Sequence, residues 1–117
     1  MPMPERYLFT AAMDVQPDKE GVFHEVYDEE HIPALLEVPG VISVARFKTQ
    51  ELTMIIGGQR RTITVENQPT FAALYELASP EVLVSEEWAR AVDRGRWPSG
   101  VRPFTSNRRH TLQRRLP

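Results

Sequence analysis

The sequence predicts a single α+β domain, residues 1–117, with strands and helices in the order β-α-β-hairpin-β-α-β. Three observations lead to this fold class. Segments with the two-residue alternation of half-buried strands recur along the chain, two segments carry helix-capping residues, and a Gly-Gly pair marks a hairpin turn. The 117 residues are 41% hydrophobic and 26% charged, which is the composition of one compact domain.

The first strand and first helix come from the N-terminal third. In "RYLFTAAMDV" every second residue from Tyr7 is apolar, which predicts a half-buried strand. Asp18 is the expected N-cap of the helix that follows. Pro33 has no backbone N–H to donate to Glu29 and its ring crowds that turn, so we expect the helix to stop or bend near His31. It would then restart as the short segment "PALLEV".

The pattern of the middle of the chain predicts strands. "VISVARFKT" is the second strand, and "FAALYEL" is the third strand of the main sheet. Between them, "LTMIIGGQRRTITVE" predicts an inserted hairpin, in which Gly57 and Gly58 supply the positive φ angles of a two-residue turn.

The last third predicts a second helix and a final strand. In "SPEVLVSEEWARAVDRG", Ser79 and Ser85 are candidate caps, Trp88 and Val92 point inward, and Gly95 ends the helix. The remaining "RWPSGVRPFTSNRRHTL" predicts a Pro/Gly loop and then a polar strand.

This order of elements is that of a split βαβ, or ferredoxin-like, fold with an antiparallel sheet and both helices on one face. The other face also needs cover. On the second strand, Ile42 and Val44 lie on one face while Val41, Ala45 and Phe47 lie on the other, so both faces are partly apolar. We therefore expect a homodimer formed through the sheet face.

Charge and composition exclude several function classes. Residues 1–93 carry all sixteen acids and seven bases, whereas residues 94–117 carry seven arginines and no acid. We expect these arginines to neutralise the acidic helix of the same or a twin chain. Without interleaved aromatics they do not form a nucleic-acid surface. The chain has no cysteine, no apolar run of membrane length, and an N-terminus, "MPMPERYLF", unlike a signal peptide, so a cytoplasmic protein is expected.

One segment resembles a known family. "YDEEHIPALLEVPGV" is similar to the His-Pro…Pro-Gly motif of the EthD-like branch of the dimeric α/β-barrel superfamily. Arg46 fits the arginine that this branch often has on its second strand, and the likeness extends over residues 5–113. It implies a dimeric α/β barrel built from ferredoxin-like βαββαβ units, here with an inserted hairpin. Because the superfamily includes monooxygenases, cyclases, isomerases, decarboxylases, haem-degrading enzymes and proteins without a known reaction, it implies no single activity.

His31 has two interpretations that depend on its place on the first helix. Tyr27, His31 and Leu35 are four residues apart and share a face, with Phe23 one turn below. In the first interpretation, His31 satisfies a backbone group freed by Pro33 and fixes the bend. In the second, it lines a cavity between helix and sheet as a general acid or base.

Two further interpretations involve charged neighbours. His24, Asp28 and His31 are spaced as metal ligands on one helical face, although a solvated acidic face explains the same pattern. Arg46 on a half-buried strand requires either a carboxylate partner or an anionic or enolic substrate. No sequence motif demands a cofactor.

Two functions are consistent with these residues. The first is an enzyme without a bound cofactor that acts on a small hydrophobic or aromatic oxygenated compound through His31, Tyr27 and Arg46, as an oxygenase, lyase, isomerase or cyclase. The second is a non-catalytic homodimeric ligand-binding or accessory module. An enclosed pocket of ~300 Å³ or more at His31 would favour the enzyme. Other candidates for the pocket lining are Phe23, Leu35, Tyr7, Tyr75, Trp88 and Trp97.

Overall fold

The computed structural model describes residues 6–117. The strands are β1 (Tyr7–Val15), β2 (Val41–Lys48), β3 (Leu52–Ile56), β4 (Gln59–Ile63), β5 (Phe71–Leu77) and β6 (Thr105–Arg114). The main sheet has four antiparallel strands in the order β2-β5-β1-β6, and β3 pairs with β4 in a separate hairpin. This order is that of a ferredoxin-like fold, as predicted.

The helical segments pack on one face of the sheet. Every second residue of β5, from Phe71 to Leu77, is buried against them, together with Phe23 and Leu35 from the helical side. The main helices are α1 (Glu20–Val26), α2 (Ile32–Leu36) and α3 (Glu86–Val92). Two π-helical turns cover Tyr27–His31 and Trp97–Val101, and short 3₁₀ helices cover Pro17–Lys19, Pro80–Val84 and Arg102–Phe104.

A stop or a bend of the first helix is expected near His31, and the structure shows no stop there. The π turn Tyr27–His31 joins α1 directly to α2, and the N–H of Ile32 donates to the carbonyl of Tyr27, five residues back. The interruption caused by Pro33 is therefore absorbed as a wider helical turn. Asp18 is not the N-cap either, because it lies inside the 3₁₀ helix Pro17–Lys19 and caps neither that helix nor α1.

The hairpin forms as predicted, whereas the second helical segment forms in two parts and ends at Val92, before Gly95. Gly57 and Gly58 have φ of 58° and 79° and connect Ile56 to its partner Gln59. Ser79 and Ser85 both act as caps, each accepting a backbone hydrogen bond at 3.1 Å. Because Ser85 begins a new helix, the segment is divided into the 3₁₀ helix Pro80–Val84 and α3.

Arginines that follow α3 neutralise the acidic first helix within the same chain. Arg94 pairs with Glu37 at 2.7 Å, and Arg96 pairs with Glu30 and, at 3.7 Å, with Glu25. These exposed pairs each contribute little stability, but they place the Trp97–Val101 turn beside α1. In the described part of the chain, no helix is long and apolar enough to cross a membrane. The signal-peptide prediction depends on residues 1–5, which lie outside that part.

The sheet face turned away from the helices is partly apolar. Phe47 and Ala45 pair with Ala72 and Leu74 there, and Phe47 is 55% exposed. The predicted facing of Val41 with Phe47 is wrong. A register irregularity after Val41 shifts the alternation of β2, and Val41 packs on the helix-covered core.

Candidate functional site

A cavity of about 210 Å³ lies between the sheet and the helical layer. Aromatic residues form the largest group in its wall. The remaining apolar members are Ala11, Met13, Leu35 and Val92, and the polar members are histidines and arginines. The aromatic residues are Phe9, Tyr27, Tyr75, Trp88 and Trp97. The histidines and arginines are His31, His110, Arg102 and Arg108.

His31 is held in the wall by ring packing. Its imidazole stacks on the Trp97 indole with ring centroids 4.0 Å apart and planes 14° apart, and it meets Tyr27 edge-on at 5.0 Å. Only 5% of the residue is exposed, and Nδ1 is buried with no hydrogen-bond partner in residues 6–117. The interpretation in which His31 satisfies a freed backbone carbonyl has no such hydrogen bond to support it.

The environment of His31 keeps its ring neutral. Burial, with a smaller effect from the positive charge of Arg102, lowers the pKa of His31 from 6.5 to about 4. At neutral pH the imidazole therefore carries one N–H donor and one lone-pair acceptor.

A second polar element of the wall is a tyrosine pair. The hydroxyl oxygens of Tyr27 and Tyr75 are 2.8 Å apart and buried. Burial raises the pKa of Tyr27 to about 12, and burial together with the neighbouring Tyr27 raises the pKa of Tyr75 further. Both hydroxyls stay protonated, and only one of their two hydrogens is used between them. The other has no acceptor within the described residues, so a ligand oxygen could accept it.

Arg46 does not line the cavity. Its guanidinium donates to Asp28 at 2.9 Å and to Nδ1 of His24 at 2.8 Å, and it lies 4.7 Å from the ring centroid of Tyr27. Arg46 thus has the carboxylate partner that its burial required, within its own chain. Arg46 is hydrogen-bonded to His24 and Asp28, while His31 faces the cavity, so His24, Asp28 and His31 do not form the metal site considered from the sequence. Residues 6–117 contain no other group of three or more side chains that could hold a metal ion.

Six of the nine residues proposed from the sequence line the cavity. His31, Tyr27, Leu35, Tyr75, Trp88 and Trp97 come together there. Arg46, Phe23 and Tyr7 do not. Phe23 packs one turn below against Phe71 and Trp97, and Tyr7 lies at the far end of β1 opposite Leu77.

Sequence reasoning missed Arg102, Arg108 and His110. His110 lies opposite Ala11 in the sheet and meets Phe9 edge-on at 5.7 Å, so it faces the helices. Arg108 is two residues away on the same strand and shares this face, whereas Arg109 faces the other side. The alternation within β6 was the available signal.

Comparison with known proteins supports the fold. Solved structures that resemble the chain include an ethyl tert-butyl ether D (EthD) family protein from Bacillus halodurans, with a TM-score of 0.56 and 11% identity over 94% of this chain and 99% of that one. A dimeric ferredoxin-like protein of unknown function from Thermobifida fusca has a TM-score of 0.52 and 13% identity over 97% and 93%.

A protein from Mycobacterium tuberculosis, with a TM-score of 0.52 and 10% identity over 97% of this chain and 94% of its own, has the same fold. The sequence matches no family model and no curated protein. At these identities the likeness establishes the ferredoxin-like fold of the kind seen in an EthD family protein, and it assigns no reaction.

Proposed function

We propose that the protein binds a small hydrophobic or aromatic oxygenated compound in the cavity and acts on it by general acid/base chemistry through His31. The observation that carries this proposal is the neutral imidazole of His31, which lies in an aromatic cavity with no hydrogen bond from its Nδ1 within residues 6–117. An ionisable side chain whose pKa is shifted by burial in the wall of a cavity is a candidate for ligand binding and catalysis.

The surroundings of His31 restrict the reaction. Proton uptake would create an imidazolium in a buried position that faces Arg102, which is unfavourable by itself. The transfer becomes favourable when it leaves a negative charge on the ligand beside the ring. Removal of a proton from carbon next to a carbonyl, or from a phenol, has this property. The unused hydroxyl hydrogen of the Tyr27–Tyr75 pair would stabilise the resulting oxyanion.

A proton-exchange assay tests the proposal. Phenylacetone and phenylpyruvate are small benzyl ketones whose enolisation in D₂O is followed by ¹H NMR. We expect the protein to accelerate loss of the benzylic proton signal, and His31→Gln to lower this rate by ~100-fold, the share of a positioned general base. His24→Gln is the matched control, because it removes a histidine that binds Arg46 outside the cavity. No acceleration of either ketone would contradict the proposal.

A non-catalytic ligand-binding module is the second candidate function. It is favoured by the cavity volume of about 210 Å³, which is smaller than the ~300 Å³ expected of an enclosed pocket for a drug-sized ligand. The same assay separates the two functions, since a binding module would hold the ketones without accelerating their exchange.

The proposal includes a C2 homodimer. Phe47, Ala45, Ala72 and Leu74 leave an apolar surface on the open sheet face, and Ile55 of the hairpin is 72% exposed. Pairing two such faces would bury both sheets between two helical layers and form an α/β barrel. One solved structure of the same fold is itself described as dimeric.

A further inference from the structure

The mouth of the cavity, defined here as its most exposed side, is positively charged, because Arg108 and His110 are exposed and Arg102 is half-buried. Arg102 and Arg108 line it beside His110, and none of the acids among the described residues does. The chain as a whole has a formal net charge of −2, so this local excess of positive charge is a property of the site.

Arg108 is held in place and keeps donors to spare. Its Nε donates to Oγ1 of Thr105 at 3.0 Å and its Nη2 to the carbonyl of Arg102 at 2.9 Å. No carboxylate pairs with Arg108 within residues 6–117, and its Nη1 has no partner there. Burial and the nearby charge of Arg102 lower the pKa of Arg108, so an anion placed between the two guanidinium groups would relieve their repulsion.

Arg102 is oriented by the end of α3. Its Nη2 donates to the carbonyl of Val92 at 3.0 Å and to Asp93 at 2.8 Å. These bonds fix the side chain while Nε and Nη1 have no partner within the described residues. Two anchored guanidinium groups with unused donors match the planar oxygens of a carboxylate.

The inner part of the cavity has walls that suit an aromatic ring. Trp88 meets Phe9 and Tyr75 edge-on with centroids 5.9 and 5.7 Å apart, and Trp97 covers His31. Aromatic walls of this kind bind flat apolar groups through stacking and edge contacts. An inorganic anion would satisfy the arginines at the mouth but would leave these walls without a partner.

We propose that the ligand of this cavity is an aromatic carboxylate, with its carboxylate bound by Arg108 and Arg102 at the mouth and its ring against the aromatic wall. This inference rests on the proposed function and narrows it to one chemical class. His31 would then act as a base on an anionic ligand whose orientation is fixed by Arg108.

Tryptophan fluorescence reports directly on this site, because both tryptophans of the chain line the cavity. Three probes separate the contribution of the carboxylate charge to binding from that of the aromatic ring. They are benzoate, its neutral isostere benzamide, and acetate, which has the charge without the ring. We expect benzoate to bind at least about tenfold more tightly than either, the usual effect of losing one charge-assisted hydrogen bond or the buried ring.

Variants of Arg108 test whether this residue causes the preference for benzoate over benzamide. Arg108→Gln should weaken benzoate binding to the level of benzamide, and Arg108→Lys, which keeps the charge, should retain a preference for the acid. Arg109→Gln is the matched control, because it removes the same charge from the next residue, which faces the opposite side of the sheet. Thermal melting identifies any variant that fails to fold, in which case the wild-type comparison and Arg108→Lys decide.

Equal affinities for benzoate and benzamide would overturn the carboxylate inference and leave the proposed small-molecule function intact. An equal loss of benzoate binding in Arg108→Gln and Arg109→Gln would overturn it as well. If none of the three probes binds, the carboxylate inference fails, and the ketone-exchange assay alone decides the proposed function.

Discussion

The imidazole of His31 stacks on the indole of Trp97, with ring centroids 4.0 Å apart and planes 14° apart. His31 is the last residue of one π turn, and Trp97 is the first residue of the other. The stack therefore joins two distant segments of the chain at the wall of the cavity. Ring packing therefore positions His31, while its buried Nδ1 has no hydrogen bond within residues 6–117.

The tyrosine pair provides a test of cavity energetics. Removing one hydroxyl from Tyr27 or Tyr75 leaves the other buried without its 2.8 Å partner. We expect Tyr27→Phe and Tyr75→Phe each to lower the free energy of unfolding by about 1–3 kcal/mol. The double variant should lose less than the sum, since no orphaned hydroxyl remains. Urea denaturation measures all four proteins, and strict additivity would contradict the prediction.

We expect Arg46 to contribute to the stability of the fold and not to ligand binding. Its side chain is 18% exposed, bonded to Asp28 and His24, and packed over the ring of Tyr27 outside the cavity. Arg46→Gln should lower the free energy of unfolding by about 1–2 kcal/mol through loss of a charged hydrogen bond and the cation–π contact. Benzoate titration of the folded variant should match wild type, and a clear loss of affinity would instead place Arg46 in the site.

His31 should make stability depend on pH. Its pKa is about 4 in the folded protein and near 6.5 when unfolded, so the unfolded chain takes up the proton first as pH falls. The free energy of unfolding should therefore decrease by about 2–3 kcal/mol between pH 6.5 and 4.5. His31→Gln should remove this dependence, as measured by urea denaturation across the range.

The contribution of Glu30 changes only at the lower end of this range. Hydrogen bonds from the backbone and side chain of Arg96 lower the pKa of Glu30, so the stability that Glu30 contributes is complete above the ordinary carboxyl pKa of 4.5 and is lost as pH falls from there through the lowered folded pKa. An unchanged slope between pH 6.5 and 4.5 in His31→Gln would show that the folded protein does not hold a neutral buried histidine.

The proposed homodimer can be tested by placing a charge on the open sheet face. Phe47→Asp places a carboxylate in the apolar surface of β2, where Phe47 is 55% exposed, and should convert the dimer to a folded monomer in light scattering. Val84→Asp is the control, because Val84 is 79% exposed on the helical side of the chain. A wild-type protein that is monomeric at micromolar concentration would refute the dimer.

The fold was predictable because its signals are local. Alternation in β1 and β5, caps at Ser79 and Ser85, and the turn at Gly57 and Gly58 each depend on a few adjacent residues. The π turn was not predictable in the same way. The loss of one hydrogen-bond donor at Pro33 permits either a bend or a wider turn, and packing around the turn decides between them.

The candidate site was only half predictable for a related reason. His31, Tyr27 and Leu35 follow from helical spacing, because the i, i+4 relationship survives the π turn well enough to keep all three in the wall. Arg102 and Arg108 follow a Pro/Gly-rich segment whose path the sequence does not specify. Their positive charge was therefore interpreted as neutralising the acidic helix, a role that Arg94 and Arg96 fill.

The most direct test of the account is the pKa of His31, followed by NMR of the imidazole ring signals and assigned with His31→Gln. We predict a pKa of about 4 in the free protein. Benzoate should raise it, because a bound carboxylate favours the charged ring. If His31 titrates at its ordinary pKa of 6.5 and benzoate does not change that pKa, the claim that the cavity holds a neutral imidazole that interacts with the ligand is contradicted.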